Sequence, residues 1–145
     1  MMLQAETINI NCISSFEVTQ KELSPMVDIL HNLIGNAIKH SNIDSSQLIV
    51  DIDSVRSDRA LKLTVYNNCS FNGCIDTENL RLSEYVHAMK DEQIRTVIQK
   101  EGGSGVAKIR NIMRHEFRSD DYIELKYLSN NKFTACINFD ISNWA

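Results

Sequence analysis

A single stretch of this chain divides so sharply into an apolar and a polar side that few secondary structures other than a packed helix accommodate it. It runs from about Thr19–Ser24 to Ser41. At ~100° per residue, Leu23, Met26, Leu30, Leu33, Ile34 and Ala37 share one broad apolar side, with Val27 and Ile38 at its edge. Asn32, Asn36, Lys39 and His40 gather roughly opposite. Thr19-Gln20-Lys21-Glu22 reads as a capping box. Pro25 is tolerated near a helix start but not deeper, which leaves the first residue of the helix open.

A second feature lies far along the chain. Of five glycines, three crowd into Gly102-Gly103-Ser104-Gly105, which runs directly into a helical pattern from about Val106 to Phe117. That helix buries Val106, Ile109, Ile112 and Met113. Glycine lets backbone approach a neighbour closely, and amides at a helix start suit an anion.

Alternating apolar residues predict strands near residues 7–11, 47–53, 61–67, 122–128 and 133–141. Phe16 to Val18 could extend the first into a hairpin. Gln47–Asp53 and Leu61–Asn67 read as another hairpin, and Ser129-Asn130-Asn131 as the turn of a third. Leu80 to Lys100 has helix-like spacing, with Leu82, Val86, Met89, Ile94, Val97 and Ile98 as candidate contacts. Helices that all need one covering sheet give an α+β two-layer sandwich, a mixed sheet with helices on one face. The 145 residues fit a single domain, 1–145, without repeat, linker or low-complexity tract.

Composition excludes more than it identifies. A formal charge of −4 with dispersed basic residues, densest at Lys108, Arg110 and Arg114, argues against nucleic acid as a partner. No apolar stretch approaches a membrane span, and the N-terminus lacks a signal-peptide pattern, so no membrane insertion and a cytoplasmic location are expected. Cys12, Cys69, Cys74 and Cys136 form no close Cys-x-x-Cys pair and read as reduced thiols.

The phrase Asn32-Leu-Ile-Gly-Asn36-Ala-Ile-Lys39-His40-Ser, followed by a strand ending at Asn67-Asn68 and then by Gly102–Gly105, closely resembles the ATP-binding fold shared by sensor histidine kinases, DNA gyrase, heat-shock protein 90 and MutL. The first segment looks specifically like the asparagine box of histidine kinases. The resemblance spans about Thr7 to Phe139 and implies a Bergerat-type sandwich binding ATP and Mg²⁺ between the helical layer and a lid, here residues 68–105. It implies that Asn36 ligates Mg²⁺, that Lys39 meets the phosphates and that His40 borders the nucleotide. It also implies that Asn67 accepts from adenine and that Gly102, Gly103, Ser104, Gly105 and Val106 cradle the phosphates and hinge the lid. An amide oxygen is a suitable hard ligand for Mg²⁺.

Two departures bear on function. Where hydrolytic relatives carry a glutamate, Asn32 has an amide, which cannot take a proton from water. This favours the kinase-like branch, and little ATP hydrolysis is expected. Asn67 and Cys69 stand where the family carries the aspartate and first glycine of Asp-x-Gly-x-Gly, so the adenine bond loses its charge. His115, in Arg114-His115-Glu116, looks superficially like a phosphoacceptor box but ends the wrong helix. Two functions therefore stay open. One is an ATP-Mg²⁺-binding catalytic domain supplying phosphate to an acceptor on another domain or chain, with a homodimer left open. The other is a degenerate module acting as a protein-interaction or nucleotide-switch domain. The sequence alone does not decide whether the chain is an enzyme.

Overall fold

Alternation in five segments produces five strands, and the helices between them cover one face of the sheet they form. The computed structural model describes residues 9–12, 20–94, 96, 105–117 and 122–142. The elements are β1 (Asn9–Cys12), α1 (Gln20–His40), a 3₁₀ turn (Ser45–Gln47), β2 (Ile49–Arg56), β3 (Ala60–Asn68), α2 (Ile75–Ala88), α3 (Gly105–Ile112), a π turn (Met113–Phe117), β4 (Tyr122–Ser129) and β5 (Lys132–Asp140). The strand order is β1-β2-β3-β5-β4. β1 lies parallel to β2, while all other neighbours are antiparallel. The expected mixed sheet is present. Residues 7–8, 13–19 and 97–104 lie outside the described residues, and with them the Phe16–Val18 strand and the Thr19 cap.

Register decides which side chains meet the helices. Leu61, Leu63 and Val65 of β3 stand opposite Phe139, Ile137 and Ala135 of β5, and all six are buried. Val50 and Ile52 continue this apolar layer on β2. Met26, Ile29, Leu33 and Ala37 of α1, together with Ile109 and Met113, close over it. Phe117 meets Phe139 edge-on at 5.2 Å.

The helix faces need one correction. Leu23 was expected inside but is 52% exposed, and Ile29, absent from the expected face, is fully buried. The buried stripe Glu22, Met26, Ile29, Leu33 and Ala37 is thus rotated toward α3. Two helices share the sheet, and the flank of α1 that faces its neighbour is covered at the expense of the other. Asn32 and Asn36 consequently sit half-buried rather than opposite the core. Pro25 lies inside α1, where it removes only the bond to the Lys21 carbonyl in the exposed first turn.

The stretch read as a helix from Leu80 to Lys100 is corrected as well. α2 begins at Ile75 and ends at Ala88, and the Asp91 carboxylate then accepts from the Gln93 and Ile94 amides to start a new turn. Leu80 and Ile94 are exposed, whereas Val86 and Met89 are buried. The expected lid therefore has a first half that is anchored. Met89 packs with Val106 and Ala107 of α3, and Asn79 bonds both backbone groups of Tyr127 on β4. The helix expected to reach Phe117 also changes character, because its last turn is π-helical.

These burial differences predict contrasting truncations. Leu33→Ala should cost about 2–5 kcal/mol, while Leu23→Ala should stay within about 0.5 kcal/mol. Urea denaturation of both variants checks the rotated face.

Candidate functional site

The packing of α1 on α3 brings the two sequence motifs into contact. A Cβ built on Gly105 would lie 2.8 Å from Asn36 Nδ2, 3.0 Å from Oδ1 and 3.2 Å from Cγ. The Asn36 amide thus fills the space a larger residue at 105 would need. Neither of its polar atoms bonds to a described residue. A half-buried amide with both ends uncommitted is equipped to meet an ionic or polar ligand.

Asn32, one turn earlier, is committed. Its Nδ2 donates to the Asp28 carbonyl at 2.8 Å, folding the side chain back on its own helix. Lys39 and His40 are exposed in the last turn of α1, and Lys39 makes no ion pair with a described residue. His40 is exposed overall, but its pKa is lowered, chiefly by partial burial of the ring and further by the charges of Lys39 and Arg81. Gly102, Gly103 and Ser104 lie outside the described residues. Val106 is 3% exposed and its side chain belongs to the core, so only its backbone could serve a ligand.

At the end of β3, Asn67 is 4% exposed and donates through Nδ2 to the Asn68 carbonyl at 2.9 Å. Its Oδ1 accepts from no described residue. Asn68 turns the other way. Its amide takes the Ile49 N–H and gives to the Gln47 carbonyl, both at 2.8 Å, and so staples β3 to the start of β2. Cys69 is buried, its amide donates to the Asn131 carbonyl at 3.0 Å, and burial pushes its thiol pKa up.

A clasp fixes Asn67 relative to α1. The Ser70 amide donates to the Ser41 carbonyl at 2.7 Å, and Asn42, at φ 57°, donates from Nδ2 to the Ser70 carbonyl. On the other side, Asn130 Nδ2 donates to the carbonyls of Phe71 and Gly73. The loop after β3 therefore bridges the end of α1 and the β4–β5 turn.

Three aromatic rings line this corner. Phe71 stacks on Tyr127 at 4.6 Å, and Tyr127 meets Phe133 edge-on at 4.9 Å. Phe133 stands directly opposite Asn67 across the β3–β5 ladder. The rings come from a loop and two strands, and no local spacing relates them. Gly73 has a specific use here, since a Cβ would lie 2.8 Å from the Phe71 ring. Arg81 was also missed. It pairs with Glu78 on α2, and its charge helps lower the His40 pKa.

Two cavities lie away from this corner. One of about 600 Å³ is lined by Arg59, Tyr122 and Asp140, the other of about 260 Å³ by Asn79, Val86 and Leu125. Neither includes Asn36 or Asn67, and the bonded and contact geometry above locates the candidate site better than cavity size does. Among the described residues no helix is long and apolar enough to cross a membrane.

The mixed sheet with helices on one face is the fold of histidine-kinase catalytic domains. The chain belongs to the family described as "y4jQ C-terminal putative histidine kinase domain", which it matches over residues 9–141. It is 27% identical over 108 residues to the Detocs histidine-protein kinase DtcA of Enterobacter cloacae (strain JD6301), covering 72% of this chain and 9% of that protein. The chain thus spans a small fraction of that relative. Among solved structures, the histidine kinase domain of the Erythrobacter litoralis EL346 blue-light activated kinase superimposes with a TM-score of 0.58 at 13% identity, covering 94% of this chain and 52% of that one. The catalytic domain of the histidine kinase ThkA gives 0.55 at 15% identity, covering 92% and 77%. At such identities the structures establish the shared fold.

Two outcomes test the site's construction. Gly105→Ala should destabilise the protein by about 1–3 kcal/mol through overpacking, and by much less in an Asn36→Ala background. A double-mutant cycle measured by denaturation reads that coupling. His40 should titrate below its ordinary value of about 6.5. Because its charged form is disfavoured in the fold, the associated stability is present above about pH 6.5 and lost as pH falls through the lower folded pKa. Proton NMR titration should show the His40 value rising when Lys39 or Arg81 becomes alanine.

Proposed function

We propose that this chain binds ATP with Mg²⁺ and presents the terminal phosphate to an acceptor on another domain or chain. The observation that carries the reading is the uncommitted Asn36 amide held against Gly105, where the residues fit the ion that the family implies. The Asn36 Oδ1 is a suitable oxygen ligand for Mg²⁺, a cation that usually keeps waters and phosphate oxygens as its other partners. Bound there, the ion would neutralise phosphate charge and orient the terminal group. Lys39, one turn along the helix, offers a cation to the same phosphates, and the α3 N-terminus offers backbone amides.

At the other end, Asn67 Oδ1 accepts from the adenine amino group, and the Phe71, Tyr127 and Phe133 rings give the base an apolar setting. An amide acceptor lacks the charge of a carboxylate, so affinity is modest. Asn32 holds no base and already bonds the Asp28 carbonyl. The chain therefore positions ATP without activating water, and transfer needs a nucleophile from elsewhere. His115, exposed in the π turn beyond α3, does not serve as that nucleophile.

One observation favours the second reading, an interaction module without catalysis. Cys69, where the family has glycine, is packed under Asn130 and Asn131. The two readings separate in a calorimetric titration with a non-hydrolysable ATP analogue, with and without Mg²⁺. Binding that strengthens with Mg²⁺, and loses that gain in Asn36→Ala, supports phosphotransfer. Absence of binding at millimolar analogue leaves the interaction module.

A further inference from the structure

β4 is an outer strand of the sheet, so half of its backbone groups face away from β5. At Tyr127 those groups already have a partner. The N–H donates to Asn79 Oδ1 at 2.7 Å, and the carbonyl accepts from Asn79 Nδ2 at 3.0 Å. A side-chain amide from α2 thus takes the place that a peptide group of a further strand would hold. Alternation along an antiparallel ladder gives Leu125 and Ile123 the same outward orientation as Tyr127. Lys126 turns its carbonyl inward, where it accepts from Thr134 Oγ1 at 3.4 Å. No described residue bonds the outward N–H and C=O groups of Leu125 or Ile123.

A groove of about 260 Å³ runs beside these groups, with Asn79, Ser83 and Val86 of α2 facing residues 122–126 of β4. Both walls are held. Asn79 ties α2 to β4 at one end, and buried Val86 and Met89 hold α2 in the core at the other. Ser83 is exposed, and its hydroxyl bonds no described residue. The side chains of β4 sort by face. Ile123 and Leu125 pack under the helices, while Glu124 and Lys126, opposite Cys136 and Thr134, lie on the uncovered face. Tyr122 donates to Glu124 Oε2 at 2.6 Å, and neither Glu124 nor Lys126 forms an ion pair with a described residue.

We infer that this edge binds a short extended peptide segment, presented by another domain or chain, that continues the sheet past β4. In an antiparallel pairing, the segment's residue opposite Leu125 exchanges two N–H···O bonds with it, as Asn79 does with Tyr127. That residue's side chain points toward Ser83 and Val86, so a small one suits it. Its two neighbours lie on the uncovered face beside Lys126 and Glu124. Charge complementarity selects an acidic residue opposite Lys126 and a basic one opposite Glu124. In chain order the segment reads acidic, small, basic. Asn79 stops the added strand before Tyr127, which keeps the segment short. The inference is independent of the nucleotide reading, since the groove includes neither Asn36 nor Asn67.

The probe is a capped heptapeptide of threonine and valine with glutamate, serine and lysine, in that order, at its centre. It is titrated into the whole chain by calorimetry. Amide hydrogen exchange followed by NMR should show Ile123 and Leu125 unprotected in the free chain and protected at saturating peptide. Glu124 and Lys126, bonded to β5, should be protected in both. Methylating the nitrogen of the central serine removes one backbone donor and should weaken binding about tenfold. Exchanging the glutamate and the lysine should also weaken it. Ser83→Tyr, at an exposed position of α2, should fill the groove and abolish binding without shifting the unfolding midpoint. Equal binding of the methylated and parent peptides would overturn the inference, because no backbone pairing would then hold the segment. So would unchanged binding to Ser83→Tyr, absence of binding at millimolar peptide, or protection of Ile123 and Leu125 in the free chain.

Discussion

The close approach of the Asn36 amide to Gly105, into the space a Cβ at 105 would occupy, is the constraint on which the packing of α1 on α3 depends. It sets how closely α1 and α3 approach, because a side chain at 105 would displace the amide or push the helices apart. That spacing in turn decides which flank of α1 is covered, and so why Ile29 is buried while Leu23 is not. It also leaves a polar group half-buried with nothing to bond among the described residues, a costly arrangement in a purely structural interface.

A second layer of organisation comes from side chains standing in for backbone. Asn68 replaces a strand residue at the start of β2, Asn79 does so at Tyr127, and Asn130 bridges the loop after β3 to the β4–β5 turn. The first extends the β2–β3 ladder past Val50 and Asn67, whereas the other two join segments that lack a regular ladder between them. Together they fix the β3 exit loop and α2 around one corner, so the chain holds Asn67, three aromatic rings and Arg81 in place with short connections. The anchored first half of the expected lid follows directly, since Val86 and Met89 cannot leave the core cheaply.

Electrostatics gives this corner its sign. The chain is acidic overall, yet Lys39 and His40 stand exposed in the last turn of α1, and Arg81 is paired with Glu78 on α2. The loss of a carboxylate at position 67 removes a negative charge from the same corner. Asn67 keeps a neutral amide acceptor in place of that charge.

Patterning by itself pointed to the five strands, α1 and the sandwich architecture, because period-two and helical repeats are local, while the family came from the resemblance of the asparagine segment and the glycine cluster to known motifs. It also marked Asn32 as unable to act as a base, a matter of functional groups alone. Only the tertiary structure decided that Asn32 bonds its own helix, that α2 spans Ile75–Ala88 and that the rings of Phe71, Tyr127 and Phe133 gather beside Asn67. Periodicity states which side of a helix is apolar, but the neighbour it packs against chooses which part of that side is buried.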